Sequence, residues 1–538
     1  MSSFDKNELT LTHWKKDLTS GFLVFLIALP LCLGIAMASG FPPVAGILTA
    51  IVGGIVGTLI GSARLTIKGP AAGLIVIVLG AATELADPNN PTAGYRRALA
   101  VGVVAAALQL GLALARAGSL GDAFPPSVVH GMLAAIGVII VSKQAHTLMG
   151  VKPEGKEPFE LLSEIPHSLA NLNPEIFVIG VVSLVVLFGL PKLPFKWVKK
   201  VPAPMVVVLI AILLEHLFDL EHQHSYSWHG HHYAVGPTYL VTLPGQLLNA
   251  IAFPDFSQIT SGTSIKYIVM FTLVGSIESL LSAKAVDHLD PEHRHQDLTK
   301  DLFATGLANV IAASIGGLPM ISEIVRSSAN IAAGAKSRMS NFFHGVFLLL
   351  FVVLLPSLLH QIPLAALGAM LIYTGLRLAS PNEFVKTFRI GADQLAVFLT
   401  TLLVTLATDL LLGVAAGIIL EVGLQVSRGA SLGGLFKSRA HPHDGDGERV
   451  VKVSSPVMFT NYIGLKRRIL DIAGEAESVV VDLEDARLVD HTALEKLHHL
   501  VDEWERLGKT LTIRGLDDHK QASTHELASR WKGNSRRS

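Results

Sequence analysis

The sequence holds a single cysteine, Cys32, among 538 residues. No intramolecular disulfide can brace it, and a lone thiol in an apolar stretch reads as a small buried apolar residue. Charge is also scarce: 16% of the residues are Asp, Glu, Lys or Arg, against about 25% in an average soluble protein. The 43 basic and 43 acidic side chains cancel, and no nucleic-acid partner is expected. There is no P-loop, no G-x-S-x-G turn and no metal-protease motif, so neither an enzymatic activity nor an organic cofactor or metal is expected.

Hydrophobic side chains, by contrast, make up 50% of the chain, and mean hydropathy is +0.50. Much of this chain must face something other than water. The distribution is uneven. Residues up to about 430 are apolar with charge confined to short connections, whereas 436–538 have an ordinary charged composition. A span of the bilayer core needs about 20 apolar residues. Segments of that length or nearly so fall at 18–39, 44–62, 70–83, 94–116, 126–147, 174–191 and 201–218, then at 266–286, 301–316, 319–333, 343–361, 363–379, 392–409 and 410–427. They divide as seven plus seven. The first is too long and uninterrupted for a cleaved signal peptide.

Two of these segments are short and open on helix breakers, one at Gly69-Pro70 and one at Gly316-Gly317-Leu318-Pro319. Glycine is too free and proline lacks a donor, so each interrupts a helix. Irregular backbone at membrane depth survives only under cover of protein or a water-filled cavity. Matched interruptions in two halves of a membrane chain point to a midplane site in a secondary transporter. Pro30 with Glu278 and Pro126 with Pro363 recur at similar offsets, and an odd number of spans per copy inverts the second copy. The expected fold is therefore an α-helical membrane protein of about 14 segments in a seven-plus-seven inverted repeat, followed by a small α/β domain.

Basic residues set the orientation. Lys15, Lys16, Lys192, Lys196, Lys199, Lys200, Lys336, Arg338, Arg377, Lys386 and Arg389 all fall on one side of a fourteen-span chain. The positive-inside rule makes that side, both chain ends and the C-terminal domain cytoplasmic, in the cell membrane. The expected divisions are an N-terminal stretch 1–17, a transport domain 18–430, a linker 431–448, an α/β domain 449–530 and a tail 531–538. The long external connection carries His222, His224, His229, His231 and His232. Clustered histidines can bind zinc or copper, but no fixed ligand spacing is evident and a solvated loop is expected.

Glu278 lies in mid-span, where a carboxylate is costly and a functional role is the default. Ser282 is four residues on and shares its helical face. The pair suits Na⁺, or Glu278 alone suits a proton; the structural alternative is a buried ion pair of Glu278 with Arg326. Half-helix N-termini at Pro70 and Pro319 would offer unpaired N–H groups to an anion, and Arg326 adds a fixed positive charge. Glu323, three residues before it, is placed to neutralise it.

At these positions the chain resembles the SulP anion-transporter family of sulfate permeases, bacterial bicarbonate transporters and the animal prestin and pendrin group. The likeness rests on Ala28-Leu29-Pro30, Gly40-Phe41-Pro42-Pro43-Val44-Ala45-Gly46, Gly69-Pro70-Ala71-Ala72-Gly73, Glu278-Ser279-Leu280-Leu281-Ser282-Ala283 and Gly316-Gly317-Leu318-Pro319 through Arg326 and Asn330. The C-terminal domain resembles that family's STAS domain through Ser455-Pro456, Val480-Val481-Asp482-Leu483, Val489 to Leu494 and Gly508 to Leu511.

The resemblance implies a mobile core (segments 1–4 and 8–11) and a gate (5–7 and 12–14), with elevator-like movement, a homodimer in the bilayer, and contacts and regulation through the STAS domain. It implies a small inorganic oxyanion, bicarbonate or sulfate, between the half-helices of segments three and ten. Dicarboxylate transport, an anion channel and an anion sensor are the alternatives. The implied substrate residues are Leu31, Ile35, Ala71, Ala72, Val325 and Arg326, with Glu278 and Ser282 for the coupling ion, H⁺ or Na⁺. The chain departs from many relatives at Leu31 and Ile35, where they carry polar or aromatic groups, and at Ile321, where they carry a hydroxyl that here follows at Ser322. Glu at 278 resembles the proton-coupled members. Thr492 aligns with a phosphorylatable hydroxyl of soluble STAS relatives and is a candidate switch; its structural alternative is to cap the following helix.

Overall fold

In a computed structural model of the chain, the described residues are 13–532 apart from 119–123, 196–200, 229, 243–246, 293, 295, 446 and 447. Lys196, Lys199, Lys200, His229 and most of the N-terminal stretch and tail lie outside them. The chain divides into two compact units, Met1–Gly118 with Ile136–Leu378, and Ser119–Ala135 with Ala379–Ser538.

Apolar composition gives long helices, with Pro30 accommodated inside α1, and the first half runs α1 (Trp14–Ala38), α2 (Pro43–Ile60), β1 (Lys68–Pro70), α3 (Ile75–Glu84), α4 (Ala93–Leu114), α5 (Pro126–Met149), α6 (Pro158–Ala170), α7 (Pro174–Gly189) and α8 (Ala203–Phe218). A hairpin of β2 (His224–Trp228) and β3 (His231–Val235) follows. The second half runs α9 (Gly262–Leu289), α10 (Leu298–Ser314), β4 (Met320–Ser322), α11 (Ile324–Ala332), α12 (Met339–Leu354), α13 (Pro356–His360), α14 (Leu364–Leu378), α15 (Pro381–Ile390), α16 (Ala392–Ala407) and α17 (Leu410–Ser427). Among the described residues, eight helical stretches are long and apolar enough to cross a bilayer, and four more are shorter apolar helices. All fourteen expected segments have a counterpart. One of them breaks: 343–361 becomes α12 and α13, because Pro356 has no N–H to continue the ladder.

The two interrupted segments differ from expectation in an informative way. Their helices do not begin at the prolines. Lys68–Pro70 and Met320–Ser322 pair as antiparallel strands, with Lys68 opposite Ser322 and Pro70 opposite Met320. The helical part then starts at a 3-10 turn, Ala72–Leu74, before α3, and at Ile324 for α11. Pairing satisfies backbone groups that hydrocarbon could not. Pro70 cannot donate to Met320, and the Asn309 side chain serves that residue instead: Oδ1 accepts Met320 N–H at 2.6 Å and Nδ2 donates to its carbonyl at 3.0 Å. Thr49 does the same for Leu318, its hydroxyl accepting the N–H at 2.7 Å and donating to the carbonyl at 3.1 Å.

In the second unit, β5 (Ala440–Gly445), β6 (Glu448–Val453), α18 (Tyr462–Ala473), β7 (Ser478–Asp482), β8 (Leu488–Val489), α19 (His491–Arg506), β9 (Thr510–Arg514), β10 (Lys520–Gln521) and β11 (Arg530–Trp531) build the α/β domain. The main sheet has the order β5-β6-β7-β9, parallel except at β5. Val451, Val453, Val479, Val481, Leu465, Leu494, Leu497 and Trp504 share its core. The segment expected to be a linker contains β5, because the alternation around Pro442 is too polar to read as a strand and its pairing with β6 is a tertiary fact. Trp531, assigned to the tail, lies in β11.

Candidate anion site

The crossing of β1 and β4 is held from beneath by a buried charge pair absent from the sequence reading. Lys68 Nζ lies 2.7 Å from both Asp301 carboxylate oxygens, 2.8 Å from Thr305 Oγ1 and 2.5 Å from Ser322 Oγ. Ser322 Oγ donates to Asp301 Oδ2 at 3.0 Å, and Ser322 N–H donates to Ser279 Oγ at 3.2 Å. The Asp301 carboxylate also accepts Ala63 N–H at 2.7 Å. Such a pair holds its place inside a protein only when every remaining donor and acceptor is served, and here α9, α10 and both strands serve it. The signal in the sequence was weak: Lys68 lies in the connection just before Pro70, and Asp301 opens the segment 301–316, where a charge at a segment end passes as interfacial.

Above the crossing, α1, the 3-10 turn, α9 and α11 converge within the first unit. Arg326 is buried in the first turn of α11. Its Nη1 reaches Cys32 Sγ on α1 at 3.5 Å, and the guanidinium packs against Gly69, where a Cβ would overlap it. Its Nε and Nη2 have no hydrogen-bond partner among the described residues. Glu278 is also buried on α9, and both of its carboxylate oxygens are without a hydrogen-bond partner among the described residues. The carboxylate lies against Gly73 in the 3-10 turn, and a Cβ there would overlap it. The expected alternative, an ion pair of Glu278 with Arg326, is not formed among the described residues: Arg326 lies against Gly69 and Glu278 against Gly73, at the two ends of the segment 69–73. Glu323 is the charged neighbour of Glu278. Glu323 lies within the field of Arg326 and beside the Ala72 N–H, but closes no ion pair with Arg326 among the described residues.

Leu31 and Ile35 lie one turn apart on α1 on either side of Cys32, Leu31 half-buried and Ile35 buried. Ala71 is buried and extended just before the 3-10 turn that Ala72 opens. Val325 is 37% exposed beside buried Arg326. Ser282 is half-buried one turn beyond Glu278, and no hydrogen bond joins the two among the described residues. The geometry thus sets Arg326, Glu278, Glu323, Ala72 and the helix-one thiol around this segment, and adds Gly69 and Gly73, whose part sequence reasoning missed. The glycines stood inside the quoted motif; what they make room for is visible only in three dimensions.

Thr492 is buried, and its hydroxyl has no hydrogen-bond partner among the described residues. The capping role expected of it belongs to Asp490, whose Oδ1 accepts Ala493 N–H at 2.7 Å. The cap must precede the first helical residue, His491, and Thr492 already lies inside the helix. Asp490 Oδ2 also accepts from Phe459 N–H at 2.8 Å and from Gln425 Nε2 at 2.6 Å, which ties α17 to the α/β domain.

Known proteins agree with this architecture. YvdB of Bacillus subtilis, which carries a provisional sulfate-transporter name, is 24% identical over 96% of this chain and 94% of its own. The bicarbonate transporter BicA of Picosynechococcus is 22% identical over 79% of this chain and 72% of its own. Among solved structures, the transmembrane domain of a cyanobacterial BicA superposes with a TM-score of 0.62 at 21% identity, covering 76% of this chain and 99% of that one. SLC26A9 superposes with a TM-score of 0.69 at 15% identity, covering 95% and 86%. Residues 439–521 match the STAS domain and residues 14–401 match the sulfate permease family, so this chain is a multi-pass membrane protein of the sulfate permease family of anion transporters, with a C-terminal STAS domain.

Proposed function

We propose that the chain is a secondary carrier of a small inorganic oxyanion, bicarbonate or sulfate, bound where the 3-10 turn after β1 meets the first turn of α11. The observation that carries this reading is a buried guanidinium with free donors and a buried carboxylate with no donor among the described residues, both set against the short segment 69–73. Arg326, with Val325 and Ala71–Ala72, forms the anion's polar and backbone surroundings, and Leu31 and Ile35 supply the apolar wall from α1. Relatives named for sulfate and for bicarbonate support both substrates, and bicarbonate is favoured by analogy with the bacterial members.

One guanidinium set against the Glu278 and Glu323 carboxylates leaves one net negative charge, and a proton taken up at Glu278 removes that repulsion before an anion enters. Na⁺ fits less well. It needs several oxygen ligands, and Ser322, the hydroxyl after Pro319, is already held by the Lys68 ammonium. Core segments then carry the anion past the gate, in a homodimer of the cytoplasmic membrane with both ends and the STAS domain inside. Proteoliposomes offered labelled bicarbonate, sulfate, chloride and fumarate test the reading. Saturable uptake of bicarbonate or sulfate, accelerated by unlabelled anion inside, is expected; uptake that neither saturates nor accelerates would point to a channel, and no uptake of any of the four overturns the reading.

A further inference from the structure

The C-terminal end of α8 carries a group of side chains that the anion site does not use. Glu215, in the last turn, has no exposed surface, and neither of its carboxylate oxygens accepts a hydrogen bond among the described residues. His216 Nδ1 lies 3.0 Å from Glu215 Oε2, with the ring 53% exposed. The chain then turns back on itself: Asp219 takes a left-handed conformation, φ +49°, and Leu220 N–H bonds to the Glu215 carbonyl. That turn folds Glu221 over the helix end, where Gln361 Nε2 donates to its Oε1 at 3.1 Å. One donor atom each from Glu215, His216 and Glu221 lie within 4.8 Å of one another. Asp219, paired with His222 at 2.7 Å, adds a further negative charge beside them.

We propose that Glu215, His216 and Glu221 form a binding site for a divalent cation of the zinc class, with water completing the coordination. A buried carboxylate with no donor is unfavourable unless something positive meets it, and the three carboxylates around one imidazole create a negative field that only partly cancels. One imidazole nitrogen with two carboxylate oxygens suits Zn²⁺ and its neighbours rather than Mg²⁺ or Ca²⁺, which take oxygen alone. Zinc–ligand distances of about 2.0–2.2 Å place tetrahedral donors about 3.3 Å apart. Rotamer shifts of the exposed His216 and Glu221 close that gap while Glu215 stays in place. The histidines of the β2–β3 hairpin are not part of this site. On the orientation proposed above it faces the outside, where a bound cation would join the end of α8 to the turn before α14 through Glu221 and Gln361.

The test is calorimetric titration of the purified full-length chain with Zn²⁺, and with Co²⁺ followed by visible absorption, neither of which depends on transport. One equivalent of Zn²⁺ and a four-coordinate Co²⁺ spectrum are expected for the wild type. Loss of an outer partner of a metal site costs about 10–100-fold in affinity, so removal of a direct ligand in His216→Ala or Glu221→Gln lowers it by at least that much. Both positions are exposed, so neither variant endangers folding as Glu215→Gln does. A chain with His224, His231 and His232 all replaced by Ala keeps the wild-type affinity. No zinc uptake by the wild type overturns the proposal. So does undiminished affinity in His216→Ala, or loss of binding in the hairpin variant.

Discussion

At the scale of single residues, the site is made by what two glycines leave out. Gly69 and Gly73 let Arg326 and Glu278 press onto the backbone at the two ends of one short segment. A methyl group at 73 has to displace the Glu278 carboxylate, and overpacking of this kind costs about 1–3 kcal/mol. Gly73→Ala is expected to fold, by size-exclusion and thermal melting, yet to lose most anion uptake in proteoliposomes. Uptake at the wild-type rate would place the anion elsewhere. Glu278→Gln keeps shape and removes the titratable charge. It is expected to abolish uptake driven by a pH gradient and to retain exchange of labelled for unlabelled anion. Normal pH-driven and Na⁺-driven uptake in that variant would end the coupling role in both its forms.

At the scale of elements, the strand crossing depends on Lys68 and Asp301. Lys68→Met strands a buried carboxylate, and breaking such a pair costs about 3–5 kcal/mol. The melting temperature of the full chain in detergent should fall sharply. The double variant Lys68→Met with Asp301→Asn should recover much of the loss, since no buried charge remains. Additive losses would show that the two residues act separately. In the STAS domain, burial pushes the Asp490 carboxyl up to about 6 from its ordinary 3.8, against the pull of the Ala493 and Phe459 amides. The folded domain therefore holds a proton that the unfolded chain has already released, and stability falls as pH rises from about 4 to about 6. Asn caps helices about as well as Asp. Hydrogen exchange of the α19 amides, corrected for intrinsic rate, should lose its protection over that window in the wild type and stay level in Asp490→Asn.

At the scale of the whole molecule, the boundary of the STAS domain decides how it can be removed. A chain cut after residue 448 keeps β5 (Ala440–Gly445) without β6, an unpaired edge that invites aggregation. A chain cut after Leu435 leaves no such strand. The longer deletion is expected to stay monodisperse and to retain part of the anion uptake, as a carrier should when only its regulatory domain is gone. Complete loss of uptake in a well-folded deletion would instead make the STAS domain part of the transport machinery.

Apolar length, helix breakers and charge along one strand of sequence determined the fourteen segments, the two interruptions and the change of character near residue 430. These are local properties, and a bilayer enforces them because backbone in hydrocarbon must bond within its own segment. Glu278 and Arg326 were legible for the same reason: a charge in an apolar stretch is costly enough to be conspicuous. What only the tertiary structure decided is which groups meet. The prolines 70 and 319 announced helix starts, but long-range pairing turned the residues around them into strands and moved those starts to 72 and 324. The ion pair imagined between Glu278 and Arg326 gave way to Lys68 with Asp301, 233 residues apart in sequence. The cap credited to Thr492 passed to Asp490. Each of these rests on contacts between residues far apart in the chain or on the register at a helix end, and periodicity along a sequence carries no record of which distant neighbour lies within hydrogen-bonding reach.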